Sequence, residues 1–493
     1  MKKQCYNPFL PPWEYIPDGE PHVFDGRVYI FGSHDHAHGY AYCLGDYVCW
    51  SAPESDLSDW RYEGVILKKT DDPNNKDGRM NLFAPDMAKG PDGRYYLYYV
   101  PDKASIVSVA VCDTPAGKYE FLDFVRYPDG TILGEKDGDE QQFDPSILVD
   151  GDVAYLYTGS CWEPDTTKSG MMATTLDADM LTVKEAPVIV VPSAPYSKGT
   201  QFEGHAYFEA PSIRKIGDTY YLVYSSVRMT ELCYATSKNP RGGFQYGGAI
   251  ISNCDLGIDT YKPADKRTYP YQNNHGGIVE IGGKWYIFYH RHTHATVFSR
   301  QACAEPIEIG ADGSIGQVEI TSQGLTGKPL PGRGEYPAYI ACNLFREGGD
   351  GWVSGEGGVV DGGKARPEPR IAQDGADVDA DSQCLSCASH AWGAAGSAHA
   401  QHIAEITDST VIGFKYFDCA GVKKVTVKTR GYCSGQFEVK TAWNGKPLGA
   451  IPVESANLWT EFSADISIPD GVHALYFEYK GTGNPSMASF TLR

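Results

Sequence analysis

Four carboxylates and one histidine stand at the same place in a repeating pattern: Asp18, Asp86, Asp144, Glu209 and His275. Each lies seven or eight residues before a turn glycine, at positions 26, 93, 151, 217 and 282. Each opens a stretch that runs through apolar residues and a tight turn into an aromatic-rich strand, as in Asp144-Pro-Ser-Ile-Leu-Val-Asp-Gly-Asp-Val-Ala-Tyr-Leu-Tyr157. Like charges gathered at one point cost stability unless something uses them. Carboxyl groups held in different environments give and take protons at one pH, so the pattern points to acid–base chemistry.

The elements that must position these residues are strands. The turn glycines are 67, 58, 66 and 65 residues apart, long for a WD-type blade but suited to a four-stranded blade with generous loops. Five units over residues 7–325 predict a five-bladed β-propeller, its innermost strands lining a central channel. The shared spacing predicts that all five polar residues converge on one mouth of that channel. Asp86 is assigned a structural role there, bonding backbone at its blade start. The 33 Tyr, 19 Phe, 9 Trp and 55 Gly fit an all-β chain, since rings pack on pleated surfaces and glycine supplies turns.

At these residues the sequence resembles glycoside hydrolase family 43. The matching stretches are Asn7-Pro8 with Pro17-Asp18-Gly19-Glu20-Pro21-His22, then Phe83-Ala84-Pro85-Asp86, Phe143-Asp144-Pro145-Ser146, Phe208-Glu209-Ala210-Pro211-Ser212 and His275-Gly276-Gly277-Ile278-Val279-Glu280. The resemblance implies a five-bladed propeller glycosidase with Asp18 as general base, Glu209 as general acid and Asp144 as the third carboxylate, which orients and tunes the acid. Inversion needs a carboxylate that activates water on one face of the sugar and a protonated acid on the other. A carboxyl group at its free pKa is ionised at neutral pH, so Glu209 must be raised; the Asp144 charge and partial burial are the expected causes. The implied activity is an exo-acting inverting hydrolase that releases terminal furanose or pentose residues from oligosaccharides. α-L-Arabinofuranosidase leads, ahead of β-xylosidase and β-D-galactofuranosidase. The rival of another class is a catalytically silent sugar-binding propeller, which three intact carboxylates argue against.

Sugar sites pair hydrogen-bonding groups with aromatic faces. Trp13, Phe83 and Trp162 lie beside blade starts or strand ends and are the candidate stacking residues, while Trp50 and Trp285 are read as packing between blades. Arg300 resembles the family's arginine near the active site, and His275 its channel histidine, which holds water or a metal ion in relatives. The runs His34-Asp35-His36-Ala37-His38 and His290-Arg291-His292-Thr293-His294 place alternate histidines on one strand face. They are read as rim contacts, with no metal assigned. Hydrolysis by this route requires no cofactor; a structural calcium is entertained near His275 or in the C-terminal domain, where Asp377-Val-Asp-Ala-Asp381 alternates acids without the glycine and distal glutamate of an EF-hand loop.

After Pro329-Leu-Pro331 the character changes, and the domain boundary is set there: residues 1–330 propeller, 331–493 a β-sandwich. Short alternating runs at 411–417, 424–429, 436–443, 459–463, 473–479 and 489–492 carry the second assignment. This part looks like a family 6 carbohydrate-binding module, read chiefly as packing against the propeller. A net charge of −20 excludes nucleic acid and disfavours anionic lipid, whereas a neutral sugar is compatible with it. No run approaches 18 apolar residues, and the basic start Met1-Lys2-Lys3 leads into no apolar stretch. With 13 scattered cysteines, including a lone Cys384-x-x-Cys387, these features predict a cytoplasmic protein with reduced thiols.

Overall fold

The computed structural model describes residues 5–493 apart from 38, 163–164, 350, 354–358, 362–363, 367 and 374–400. Strands β1 (Glu20–Phe24), β2 (Arg27–Phe31), β3 (Tyr47–Pro53) and β4 (Arg61–Leu67) form the first antiparallel sheet in simple meander order. The second holds β5 (Leu82–Lys89), β6 (Tyr95–Pro101), β7 (Ser108–Cys112) and β8 (Glu120–Phe124). The third holds β9 (Ser146–Asp150), β10 (Val153–Thr158), β11 (Gly170–Leu176) and β12 (Val183–Pro192). The fourth holds β13 (Tyr207–Ile216), β14 (Thr219–Ser226), β15 (Glu231–Ser237) and β16 (Gln245–Ser252), and the fifth β17 (Ile278–Ile281), β18 (Lys284–His292) and β19 (Arg300–Ile307). The first strands touch in a closed circle, β1 to β5, β9, β13, β17 and back to β1. This is a five-bladed propeller.

The tyrosines explain why the blades stay together. Each second strand is sandwiched between neighbouring blades, so Tyr95–Pro101 is buried throughout rather than on alternate residues. A buried ring still needs a partner for its hydroxyl, and here the partner is a carbonyl of the following unit. Tyr47 donates to Phe83 O, Tyr98 to Met180 O (2.6 Å), Tyr157 to Pro240 O (2.6 Å) and Tyr221 to Gly313 O (3.0 Å). The fifth sheet has three strands, and the N-terminal segment supplies what is missing. The Phe9 amide donates to Ala302 O (3.1 Å), and the Asn7 side chain bonds both the amide and the carbonyl of Ala304 (3.0 Å each), all on β19. That contact closes the ring.

From Leu330 the chain builds one ten-stranded sheet curled on itself. The strand Lys424–Lys440 pairs through its first half with Ser486–Leu492 and through its second with Gly471–Gly483, so it bends from one layer into the other. The sequence pattern divides this strand in two because its middle, Gly431 to Gly435, breaks the apolar alternation. The core of this sheet is continuous with the propeller: Ile250, Ile287, Leu330, Phe417 and Phe490 belong to one apolar cluster. Lys415, fully buried, crosses to Asp255 at 2.9 Å and Glu319 at 3.0 Å. Cutting one partner would strand a charge in the interior, a loss of about 3–5 kcal/mol. The two units are thus packed as one body at this seam. The Asp377–Asp381 acids and the Cys384–Cys387 pair lie outside the described residues.

Candidate active site

The shared mouth expected for five polar residues divides into two layers. Paired residues across each first hairpin give the true equivalence: Glu20 faces Phe31, Asp86 faces Tyr98, Ser146 faces Tyr157 and Ser212 faces Val223. Asp86 therefore belongs with Glu20, Ser146 and Ser212, one layer deeper than Asp18 and Asp144. The turn glycine misled the count because the second blade closes with a longer turn, Pro91-Asp92-Gly93, pinned by Gly90 N–H on Arg94 O (2.8 Å). In the deep layer Asp86 is saturated: it meets His22 Nε2 at 2.6 Å and accepts from Ser146 Oγ, Ile147 N and Met87 N at 2.7–2.8 Å. Its structural assignment follows from those bonds.

The upper layer holds Asp18, Asp144, Glu209, His275 and Arg300. Asp18 Oδ1 lies 2.8 Å from Arg300 Nη1, 3.3 Å from His290 Nδ1 and 3.9 Å from His275 Nδ1. His275 Nδ1 is also 3.7 Å from Asp144 Oδ2, which places the histidine between the two aspartates. Arg300 is itself fixed from behind by Asp35, whose two oxygens take Nε at 2.8 Å and Nη2 at 3.1 Å, and Tyr42 covers its face at 4.7 Å. Asp18 (φ 57°), Asp144 (φ 43°) and Ala210 (φ 65°) all adopt the left-handed backbone region. Such conformations cost of order 1–3 kcal/mol in non-glycine residues and persist only where surroundings enforce them. Here they turn the inner strands so that the carboxylates face the channel mouth.

The electrostatics separate the three acids. Burial alone would favour neutral Asp18, but Arg300, with the imidazoles of His290 and His275 beside it, outweighs burial and holds the carboxyl far below the usual range. Glu209 is pushed up to about 8, first by burial and then by the Asp18 charge, with Arg300 and a hydrogen bond from Asn273 opposing. Asp144 is also raised well above the ordinary carboxylate range, by burial, then Glu209, then Asp18. After burial, the charge that raises Glu209 is that of Asp18, while Asp144 and Glu209 act on each other within the same buried site. Burial brings His275 down to about 4, so its ring is neutral at physiological pH. One carboxylate and one carboxylic acid therefore coexist in a single buried site, the pairing that general acid–base hydrolysis requires.

The aromatic candidates fall in different places. Trp162 is 59% exposed, with its edge on Phe208 at 5.0 Å, one residue before Glu209. Phe83 packs on Phe143 (5.3 Å), the neighbour of Asp144. Trp13 instead tilts against Trp50 at 5.7 Å and joins the apolar cluster of the first blade, a packing position. The histidine runs are wired to protein groups: His34 Nε2 to Glu14 (2.9 Å), His292 Nε2 to Asn273 Oδ1 (3.1 Å), His294 Nε2 to the Tyr15 hydroxyl (2.7 Å). Asn273, Tyr42 and Asp35 were not singled out from sequence. All three lie on loops outside the repeat; only the His34–His38 run touched on Asp35.

The profile of glycosyl hydrolases family 43 matches residues 15–315, which hold the whole upper layer. The chain belongs to this family. It is a glycoside hydrolase, and its substrate is an oligosaccharide. A xylosidase/arabinosidase of Thermoclostridium stercorarium is 62% identical over 492 residues, spanning 100% of this chain and 99% of the relative. A xylosidase/arabinosidase of Bacteroides ovatus is 29% identical over 316 residues, 57% of this chain and 87% of that protein. Among solved structures, the GH43_1 enzyme from Xanthomonas citri complexed with xylose is 25% identical with a TM-score of 0.50, over 64% of this chain and 93% of its own.

Proposed function

We propose that this glycosidase removes terminal arabinofuranose or xylose units from oligosaccharides by single-step inversion. Asp18 is the base, Glu209 the acid, and Asp144 the group that orients Glu209. The observation that carries the reading is the opposite displacement of Asp18 and Glu209 within one buried cluster. Asp18 takes a proton from the water that attacks the anomeric carbon; Glu209 gives its proton to the leaving oxygen as the glycosidic bond breaks. The ionic hold of Arg300 makes Asp18 a weak base, but an oxocarbenium-like transition state has already loosened the sugar carbon and asks little of it. Trp162 and Phe83 supply apolar faces beside the acid and the third carboxylate. The names of the two relatives support both sugars, and α-L-arabinofuranose remains the leading substrate.

No step needs a cofactor. Calcium takes six to eight oxygens, while the donors around His275 are one imidazole and two aspartates, of which Asp18 is already bound to Arg300. A channel calcium would therefore be held mainly by water and would act on the architecture alone. The deciding experiment follows the anomeric configuration of the first-formed product by NMR, using the best substrate from a panel of nitrophenyl arabinofuranoside, xyloside and galactofuranoside. Inversion is expected; retention, or a trapped glycosyl-enzyme, would make Asp18 a nucleophile and overturn the assignment.

A further inference from the structure

Behind the strand that carries Glu209, the fourth blade holds a second cluster that the hydrolytic chemistry does not use. Glu231 opens β15 and Cys233 follows two residues later, so both point to one face of the strand. His205, two residues before β13, reaches the same spot. Its Nδ1 lies 2.6 Å from Glu231 Oε1 and 3.8 Å from Cys233 Sγ, and that sulfur is 3.5 Å from Glu231 Oε1. We propose that His205 Nδ1, the Glu231 carboxylate and Cys233 Sγ bind a zinc-class divalent cation, with water as fourth ligand.

The ligand set selects the cation. Thiolate and imidazole beside one carboxylate suit zinc and its d-block neighbours, whereas calcium and magnesium want oxygen throughout. The distances agree with a tetrahedron. Bonds of about 2.3 Å to sulfur and about 2.0–2.1 Å to nitrogen or oxygen set the sulfur edges near ~3.5 Å and the nitrogen–oxygen edge near ~3.3 Å. The sulfur edges are already in place; the His205–Glu231 contact must open by roughly 0.7 Å as the metal replaces its shared proton. Outer partners hold the ligands in position. Ser226 Oγ donates to Glu231 Oε1 (2.6 Å), the Tyr224 hydroxyl donates to His205 O (2.8 Å), and Tyr246 stacks on the His205 ring at 5.1 Å. Tyr246 also brings its hydroxyl to 3.7 Å from the sulfur. Glu231 and Cys233 are buried, while the His205 side chain is 24% exposed and leaves the side on which water completes the shell. The Arg228 guanidinium lies 3.9 Å from Glu231 Oε2, is half exposed, and is held to the Gly204 carbonyl through Nε at 3.1 Å.

Binding is balanced by loss of the Cys233 thiol proton to solvent as the metal–sulfur bond forms, and by passage of the proton shared by His205 Nδ1 and Glu231 to His205 Nε2 or to solvent as the metal–nitrogen bond forms. The test is titration of the full chain with Co²⁺, whose bond to thiolate gives a near-ultraviolet charge-transfer band. One equivalent should produce the band together with tetrahedral d–d absorption, and Zn²⁺ should abolish both. Because Cys384 and Cys387 could also bind the ion, the double variant Cys384→Ser/Cys387→Ser is titrated alongside and should keep the band. Cys233→Ser should lose it, and His205→Gln, at the most exposed of the three positions, should weaken Co²⁺ binding more than about tenfold. A wild-type chain without the band, a band that survives Cys233→Ser, or unchanged affinity in His205→Gln would overturn the site.

Discussion

The central channel contains two rings of acids on the same inner strands, and they differ in what their surroundings do to them. In the deep ring, Asp86 has four partners, Glu20 is paired with Arg214 at 2.8 Å, and Ser212 donates to Glu20 at 2.9 Å. The bonds cross from blade to blade, so this ring ties the propeller together. In the upper ring the backbone is strained at Asp18, Asp144 and Ala210, and burial pushes the Glu209 and Asp144 carboxyls above their ordinary range. Glu20, in the deep ring, keeps one oxygen (Oε1) without a hydrogen-bond partner, so the rings are separated by the strained backbone of the upper one and not by how many bonds their acids make. Displaced pKa values alone would not distinguish the upper ring either: Glu20 is also raised to about 8 by burial despite Arg214.

The sharpest way to break this comparison is to alter one acid of each ring. Glu209→Gln removes the proton donor and should lower kcat/KM by about 10²–10⁴-fold on sugar or alkyl leaving groups. Activated aryl glycosides, which leave without help, should lose much less. Thermal stability should hold or rise, since a buried carboxyl is replaced by a neutral amide. Equal losses on both leaving groups would remove Glu209 from the acid role.

Asp86→Asn is the counterpart in the deep ring. An amide placed against the Ile147 N–H and Ser146 hydroxyl sets donor against donor. The expected loss is about 3 kcal/mol of stability, read from urea midpoints. The pH limbs of kcat/KM should stay where they are. The sign of the pH dependence also follows: Asp86 is held below its ordinary pKa, burial notwithstanding, by His22 and Arg214. Its contribution is therefore present above its unfolded-state pKa and is lost as pH falls through the folded one. The stability gap between wild type and variant should shrink in acid. A variant of normal stability with shifted limbs would place Asp86 in the chemistry instead.

A smaller effect tests how closely the deep ring packs. A Cβ on Gly277 would meet Ser212 Oγ at 2.2 Å and a Glu20 oxygen at 2.8 Å. Gly277→Ala should cost about 1–3 kcal/mol, the usual penalty for overpacking, while the anomeric outcome of the reaction stays the same. An unchanged melting temperature would show that the ring is looser than its bonds suggest.

Much of this was legible in the sequence, for reasons that can be stated residue by residue. The propeller shows itself because each blade repeats one hairpin, and the three acids of the proposed chemistry drew notice because each begins a repeat. The two-layer arrangement was hidden by one extra turn residue before Arg94, since glycine spacing counts the turn rather than the strand pairing. Asn273 on Glu209 and Tyr42 over Arg300 come from loops of no fixed length, and nothing in their neighbours announces where those loops fold. Trp13 read as a sugar platform because an aromatic beside a blade start is equally good at packing; only the position of Trp50 decides between the two.

The smallest expected effect is the most informative about the upper ring. The alkaline limb of kcat/KM reports loss of the Glu209 proton and should fall near pH 8, the value to which burial and the Asp18 charge raise it. Asp144 is also held well above the ordinary carboxylate range, by burial first and then by Glu209 and Asp18. If it keeps its proton while Glu209 ionises, replacing it with Asn removes no charge from the acid's surroundings. Asp144→Asn should then leave the alkaline limb within about half a unit of wild type, since a full unit would require ~1.4 kcal/mol of coupling to a charge that a protonated Asp144 does not carry. Its cost should appear in kcat, because its proposed role is to orient Glu209, in a geometry that the strained backbone at Asp144 and Ala210 maintains. A limb that drops by a unit or more would mean that Asp144 ionises first. The repulsion that keeps Glu209 protonated would then come from the third carboxylate, and Asp18 would be left with the single task of activating water.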